Sequence, residues 1–374
     1  MDLLFEATGT PEAFASALQK FNHNKEIKSL LVLAGDANLW QKAAIDPLLL
    51  ASRIPVFGGI FPQLTYANRP YERGTVLVGL TQPAEIAWIE GLSDDTTDFD
   101  DRVEECTAHW GNPESTSTML VFVDGLARRI SALIQGLYAN FGLEDNFIGG
   151  GAGSLNFVPK PCIITPQGLY QDTAVLARLP IASSIGVTHG WQAISDSMKV
   201  TEAERNVIKT LDWQPAFTVY KTRVEAHSGM ILREDNFFDL AKSYPLGMAK
   251  LDTEMVVRDP LMVEQGQHLV CVGEVPEGSF VRLLNGTPQT LIAAAAQARH
   301  IAASTPLNKA QPACLFIDCI SRVLFLGELI DKELQAISQG EVVFGAFTLG
   351  EIANTGQDFL EFYNKTSVLA LLDM

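Results

Sequence analysis

The sequence predicts a mixed α/β fold (α/β, α+β) in which two mixed-sheet halves pack as one ligand-binding unit. The first reason is that short, continuously apolar segments recur, as in Ser29–Gly35 and Thr118–Asp124. Such runs are typical of strands buried on both faces. The second reason is that amphipathic helical segments, such as residues 127–141, alternate with them. The third is composition: 47% of the 374 residues are hydrophobic, which is enough for a sizeable core.

The N-terminal half is predicted to alternate strands and helices. Residues 169–179 and 181–187 flank Pro180, and this spacing predicts an antiparallel pair with a tight connection. The remaining strands are expected at residues 29–35, 54–59, 74–80 and 118–124, and helices at 38–50, 98–110 and 127–141.

The C-terminal half is predicted to continue this mixture. A helix is expected at residues 287–303, because Thr287 is a suitable N-cap and Pro288 suits the first helical position. A second helix is expected at 326–337. Strands are expected at 255–257, 268–272, 279–284, 313–318, 342–347, 359–363 and 367–372. We place the domain boundary between residues 205 and 206, which gives domains at 25–205 and 206–374.

One weak internal repeat accompanies these strands. Residues 56–61, 147–151 and 343–347 each form an apolar strand that ends in small residues. Glycine at a strand end allows positive φ and a close approach of backbone or ligand. The three ends therefore either converge on one pocket or mark turns and close packing.

Charge and composition favour small molecules and proteins as partners. The net charge is −17 with no block of Lys or Arg, so nucleic acid and anionic membranes would be repelled. No apolar run reaches the roughly 18 residues that a membrane span requires, and the N-terminus does not resemble a secretory signal. The five scattered cysteines indicate a reducing compartment, so we expect a cytoplasmic protein.

The common catalytic motifs are missing from the sequence. It contains no phosphate-binding loop, no nucleophile elbow and no zinc-binding helix pair. The glycine cluster at 149–153 does not match a dinucleotide fingerprint, because Pro159 and Pro161 follow where a helix would begin. We therefore expect a non-enzymatic, ligand-binding protein.

Three polar, glycine-containing segments carry the candidate site residues, at 186–191, 316–322 and 347–354. Loops and turns of this kind usually hold binding residues. The candidates are His189, Gly190, Trp191, Cys319, Ser321, Arg322, Phe347, Glu351 and Asn354.

Two of these candidates have alternative interpretations that the sequence leaves open. His189 either contacts a ligand or iron, or forms its hydrogen bonds inside the fold. Arg322 either holds a ligand carboxylate bidentately or pairs with a structural carboxylate such as Glu351.

The same segments resemble the FIST proteins, which have an N-terminal FIST domain followed by a FIST C domain. The resemblance covers roughly residues 25 to 372. It lies in GVTHGW at 186–191, in GEVPEGS at 273–279, in CISR at 319–322, and in GAFTLGEI at 345–352 with YNKT at 363–366. It implies a sensory module for small molecules such as amino acids. The C-terminal segments are most similar to a stand-alone, haem-binding branch that senses nitric oxide and regulates a histidine kinase or a cyclic-di-GMP enzyme.

The haem branch would need one axial ligand, usually histidine or a thiolate. The candidate ligands are His109, His189, His268 and His300. An amino-acid sensor without haem would use Arg322 for the ligand carboxylate and Glu351 or Asn354 for the amine. An enzyme would need Cys319 as nucleophile with His189 as base. A homodimer is one candidate assembly.

Overall fold

The computed structural model describes residues 2–111, 116–142, 145–249, 255–309, 311–354 and 359–374. Its fold is α/β, as the sequence predicts. Within these residues, strands form three mixed six-stranded sheets and one eight-stranded antiparallel sheet. No helix of the described residues is long and apolar enough to cross a membrane.

The three six-stranded sheets are built from three copies of one chain path. Each copy runs strand, helix, strand, helix, strand, hairpin and strand. The first copy is β1 (Asp2–Glu6), α1 (Pro11–His23), β2 (Ser29–Gly35), α2 (Lys42–Leu50), β3 (Val56–Phe61), β4 (Gln63–Tyr66), β5 (Arg69–Tyr71) and β6 (Thr75–Leu80). The second is β7 (Glu85–Glu90), α3 (Phe99–Thr107), β8 (Thr118–Asp124), α4 (Ile130–Phe141), β9 (Asn146–Ala152), β10 (Ile163–Thr165), β11 (Gly168–Tyr170) and β12 (Thr173–Leu179).

The third copy begins with β13 (Ser183–Thr188) and is interrupted by an insertion at residues 192–285. The insertion contains β14 (Gln192–Ala193), β15 (Met198–Glu204), β16 (Val207–Leu211), β17 (Gln214–Pro215), α5 (Ala216–Ser228), α6 (Phe237–Ala241), β18 (Leu246–Met248), β19 (Val256–Glu264), β20 (His268–Val272) and β21 (Phe280–Asn285). The copy then continues with α7 (Pro288–Ala303), β22 (Ala313–Cys319), α8 (Ile320–Leu326), α9 (Ile330–Ser338), β23 (Val343–Thr348), β24 (Glu351–Ala353), β25 (Glu361–Tyr363) and β26 (Ser367–Leu372).

The hairpin of each copy pairs with the sheet of another copy. β4 and β5 extend the third copy's sheet next to β23, β10 and β11 extend the first next to β3, and β24 and β25 extend the second next to β9. All three sheets consequently have the same strand order, with one parallel pair at the centre: β2 with β3, β8 with β9, and β22 with β23. The copies therefore interlock as a ring with approximate three-fold symmetry, and the core forms where their sheets meet.

The weak sequence repeat marks equivalent positions of these copies. Gly58, Gly149 and Gly345 each lie opposite the middle residue of the parallel neighbour. A Cβ would lie 1.9 Å from that residue's carbonyl oxygen at Gly58 and 1.7 Å at the other two. Close strand packing, rather than convergence on a pocket, therefore explains these glycines.

The insertion forms a unit with its own hydrophobic core, built around residues such as Val200, Leu211 and Tyr220. The proposed division between residues 205 and 206 falls inside its eight-stranded sheet, between the paired strands β15 and β16. The chain thus crosses from one half to the other within a continuous sheet.

Two sequence predictions of local structure are wrong. The segments around Pro180 do not pair: β12 lies in the second sheet between β7 and β8, whereas β13 pairs with β26 in the third. The helix expected at 326–337 begins only at Ile330, as α9, because α8 ends at Leu326. Gly327 has a φ of 54°, which ends α8 because that backbone conformation is left-handed.

Candidate functional site

A cavity of about 280 Å³ lies between the insertion and the second and third copies. The insertion contributes β19, β20 and α6. The three copies, together called the core below, contribute the start of α4, the end of β22, α8 and the β25–β26 turn. Such junctions between substructures are common places for ligand pockets.

The cavity walls are largely apolar. Phe157, Phe238 and Leu324 form part of its mouth and are 50%, 43% and 44% exposed, although large apolar side chains usually lie deeper. Further inside, the walls are formed by Leu126, Ile130, Leu261, Leu349 and Phe362.

The polar residues of the cavity come from several chain segments. Asp259 lies on β19, Ser321 lies in the first turn of α8, and Asn364 lies in the turn between β25 and β26. Asp259 and Asn364 are only 2% and 1% exposed. The fold therefore places these three polar side chains, together with others such as Asn206 and Glu274, in a mostly apolar cavity.

Asp259 is ion-paired on one side only. Its Oδ2 lies 3.0 Å from Nζ of the fully buried Lys365 and accepts a 3.1 Å hydrogen bond from Ser321 Oγ. Burial raises the pKa of Asp259, while Lys365 and Ser321 oppose that change. Its Oδ1 has no hydrogen-bond partner among the described residues, so one acceptor is left for a ligand.

Asn364 has more unused hydrogen-bonding capacity. Neither Nδ2 nor Oδ1 of its side chain has a partner among the described residues. A buried polar atom without a partner costs about 1–3 kcal/mol and calls for a specific explanation. A ligand, or water in its absence, would supply the missing hydrogen bonds.

Cys319 and Ser321 are the two sequence-predicted candidates that line the cavity. Ser321 contributes its hydroxyl to the Asp259 cluster. Burial, followed by the nearby Glu351, raises the pKa of the Cys319 thiol well above its usual value. A nucleophilic cysteine needs the opposite change.

Arg322 lies outside the cavity lining and is fully buried. Its guanidinium donates to Glu333 and to the carbonyl oxygens of His189 (2.7 Å), Leu291 (3.0 Å) and Lys365 (3.3 Å). Since Glu333 receives two of these hydrogen bonds, all five N–H groups are used. Of the two interpretations of Arg322, the structure therefore supports the structural one, with Glu333 rather than Glu351 as partner.

Glu351 is fully buried and hydrogen-bonded within the fold. It accepts from Thr348 Oγ1 (3.1 Å) and from the backbone N–H of Thr366 (3.2 Å). Burial raises its pKa to about 8. These contacts brace the β24–β26 region.

Asn354 and Phe347 also hold the fold together. The Asn354 side chain accepts from the N–H of Phe147 (2.9 Å) and donates to the carbonyl of Asp145 (3.1 Å), which fixes the start of β9. Phe347 is buried with its ring centroid 6.5 Å from that of Phe316.

The segment 186–191 packs against α7. The Nδ1 atom of His189 accepts from the Trp191 N–H at 2.9 Å, and burial, then Arg322, lowers the His189 pKa to about 4. Gly190 has a φ of 79°, and a Cβ there would lie 2.5 Å from the Thr290 carbonyl oxygen. The neutral His189 thus forms hydrogen bonds inside the fold.

Trp191 connects this segment to the buried lysine. Its indole N–H donates to the carbonyl of Lys365 (3.2 Å), whose ammonium lies 5.2 Å from the indole ring centroid. The ring also packs edge-on against Phe325. Trp191 therefore supports Lys365, which in turn holds Asp259.

The residues of the cavity do not fit haem. Its lining contains none of the four candidate histidines among the described residues. It does contain Cys271 and Cys319, but burial raises the pKa of both thiols, to about 12 for Cys271. Thiolate ligation would therefore be costly there.

The other candidate haem ligands lie elsewhere. His109 is exposed in the turn after α3, His300 is exposed on α7, and His268 is half-buried opposite Glu264 in the β19–β20 ladder. Haem binding through one of them stays a prediction.

Sequence reasoning missed Asp259 and Asn364 as site residues. Asn364 lies within the YNKT segment that carries the family resemblance, but an asparagine in a turn is common for conformational reasons. The stronger signal is the pair Arg258 and Asp259 inside the apolar strand β19, because charged side chains are rarely buried without a partner.

Two family models match the chain. The FIST N domain matches residues 49–214 and the FIST C domain matches residues 216–354. The two matches meet in the insertion, between β17 and α5, rather than at a boundary between copies. A search of curated proteins finds no match. FIST domains are sensory, ligand-binding domains of signal transduction. This chain therefore belongs to the FIST-domain family, with a FIST N domain followed by a FIST C domain.

Proposed function

We propose that this protein is a sensor of a small organic molecule, comparable in size to an amino acid, that binds in the cavity between the insertion and the core. The observation that carries the proposal is the set of buried polar atoms without hydrogen-bond partners, on Asp259 and Asn364, in a cavity with apolar walls. Ligand sites commonly combine these two features.

The volume of the cavity limits the ligand. Ligand pockets typically measure about 300–1,000 Å³, and this one measures about 280 Å³. A compact ligand with one polar end and one apolar end suits it. The apolar end would lie against residues such as Phe362 and Leu349.

Lys365 offers a route from the ligand to the rest of the protein. Its ammonium joins Asp259 to the backbone carbonyl of Lys242 (3.0 Å) in the insertion, and its own carbonyl accepts from Arg322 in the core. A ligand that engages Asp259 would therefore bear directly on the contact between insertion and core. The proposed output is regulation of a histidine kinase or a cyclic-di-GMP enzyme, as the family resemblance implies.

The test is a thermal-shift screen of the purified chain with amino acids and related small molecules. Leu126→Trp places a large side chain in the cavity wall, and Leu50→Trp, at a 64% exposed position, is the matched control. A ligand should raise the Tm of the wild type and Leu50→Trp but not of Leu126→Trp. An undiminished shift in a cooperatively melting Leu126→Trp variant would show that the ligand binds elsewhere.

The haem and nitric oxide proposal has a separate test. Titration with haem should give a sharp Soret band that shifts with nitric oxide and disappears when one of His109, His268 or His300 is changed to Ala. A spectrum like that of free haem removes this branch, and the cavity proposal does not depend on it.

A further inference from the structure

The turn between β25 and β26 holds the Asn364 side chain in a fixed place. The backbone carbonyl of Asn364 accepts from Thr366 Oγ1 at 2.8 Å, and Lys365 at the next position has a φ of 53°. Gly350 faces the amide, where a Cβ would lie 3.1 Å from Nδ2. The carboxamide of Asn364 is therefore a buried, positioned group that lines the cavity and has both polar atoms unpaired.

Another amide can form hydrogen bonds with both polar atoms of a carboxamide. Its N–H donor and its oxygen acceptor lie side by side in one plane. A ligand carboxylate offers only acceptors and would leave Oδ1 of Asn364 unpaired. A ligand ammonium offers only donors and would leave Nδ2 unpaired. An amide edge, with C=O beside N–H, pairs with both atoms at once.

The charges around the cavity also disfavour a carboxylate ligand. The Lys365 ammonium is held by Asp259. At the rim, Arg128 donates to the carbonyl of Ser93 (2.8 Å) and Arg205 pairs with Asp95 (2.6 Å). Among the described lining residues these two arginines are the cations, and both are exposed, so neither offers a carboxylate a buried partner.

Asp259 adds a requirement for a second donor. Its Oδ1 is an acceptor without a partner among the described residues. A primary carboxamide carries two N–H groups, so one can donate to Asn364 Oδ1 and the other to Asp259 Oδ1 while its carbonyl accepts from Asn364 Nδ2. A secondary amide has one N–H and cannot serve both acceptors.

We infer that the ligand is recognised through a primary carboxamide held by Asn364 and Asp259, with its apolar body against the cavity walls. This inference rests on the proposed function, because it specifies the chemistry of the same cavity.

The experiment compares matched amide and acid pairs on the full chain by titration calorimetry: nicotinamide with nicotinate, benzamide with benzoate, and glutamine with glutamate. The wild type should bind at least one amide about tenfold or more tightly than its acid, because the acid leaves a buried group unpaired. Asn364→Asp should lose most of this preference. Asn68→Asp is the control, since Asn68 accepts through Oδ1 from the Val343 N–H, a role that a carboxylate oxygen can also fill, and it should behave as the wild type.

The outcomes separate the two proposals. Wild-type preference for an amide, which needs no variant to fold, supports the inference, and its loss in Asn364→Asp assigns it to this residue. Equal or tighter binding of the acids, or Leu126→Trp-sensitive binding of other compounds but of no carboxamide, overturns the inference and leaves the proposed function standing. If no compound binds in a way that Leu126→Trp abolishes, both fail.

Discussion

Two buried polar clusters lie on either side of Lys365 and differ in where their side-chain atoms without hydrogen-bond partners lie. Around Arg322 every guanidinium N–H is used by protein acceptors. The oxygens of Asp318 and Glu333 that have no hydrogen-bond partner among the described residues belong to carboxyl groups that are ion-paired with Arg322. Around Asn364 and Asp259, three side-chain atoms have no partner among the described residues. The first cluster holds the fold together, whereas Asp259 and Asn364 of the second, which sequence reasoning missed, line the cavity, where a ligand can reach them. Unused hydrogen-bonding capacity that faces a cavity is therefore a better guide to a binding site than charge in a motif.

The largest effect is expected from removing the cation of the first cluster. Arg322→Met should lower the free energy of unfolding by about 3–5 kcal/mol, because it leaves Glu333 and Asp318 buried without their cation; Asp318 lies 3.0 Å from Arg322 Nε. Urea denaturation measures the loss. Arg233→Met is the control, since its partner Asp235 is 71% exposed and such surface pairs contribute at most about 1 kcal/mol. Equal losses in both variants would contradict the structural role of Arg322.

Substitution of two buried asparagines, Asn354 and Asn364, tests the difference between structural and ligand-binding polar groups. Asn354→Leu should cost at least about 2 kcal/mol of unfolding free energy, because Phe147 N–H and the Asp145 carbonyl each lose a partner at about 1–3 kcal/mol. Asn364→Leu should stay within about 1 kcal/mol of the wild type in the absence of ligand, since its amide has no partner to lose among the described residues.

The same urea titrations, repeated with a ligand from the screen, complete this test. The ligand should stabilise the Asn354→Leu variant, if it folds, and should no longer stabilise Asn364→Leu. A large loss of ligand-free stability in Asn364→Leu would show that its amide is structural after all.

The sequence predicts local elements of the fold well and contacts between distant segments poorly. Strands such as β2 and β8, and the helix α7 with its Thr287 cap and Pro288, follow from local pattern and are confirmed. The division of the chain into copies is not local information: Pro180 lies between the last strand of the second copy and the first strand of the third, so the pairing predicted across it is wrong. Cys319 and Ser321 reach the cavity because they lie at the end of a strand. Whether a buried Arg322 is saturated depends on acceptors more than 40 residues away along the chain, such as the Lys365 carbonyl, and no spacing rule supplies that.

A pH effect should distinguish the buried carboxyl of Glu351 from an exposed one. Its pKa is raised from 4.5 to about 8 in the folded protein, so the folded state holds a proton that the unfolded state releases between these values. This stabilising contribution is fully present below about pH 4.5 and is lost as the pH rises through about 8, with a slope of at most about 1.4 kcal/mol per pH unit.

Glu351→Gln should remove this part of the slope, because the amide does not titrate. Unfolding free energies at several values between pH 5 and 9 provide the measurement, and Glu104→Gln, at an exposed position, is the control. If the Glu351→Gln and wild-type profiles run parallel over this interval, protonated Glu351 does not contribute to the pH dependence.

The smallest expected effect comes from Ser321, which belongs to the second cluster through one hydrogen bond. Ser321→Ala removes the 3.1 Å bond to Asp259 Oδ2, but Lys365 still holds that oxygen. Stability should therefore fall by only about 1 kcal/mol, and ligand affinity by tenfold at most, measured by urea denaturation and calorimetry on the same preparation. Ser304→Ala, at an exposed helix end, is the control for stability. A loss of affinity much larger than tenfold would mean that the Ser321 hydroxyl contacts the ligand itself, and the binding site would then extend along α8 as well as the β25–β26 turn.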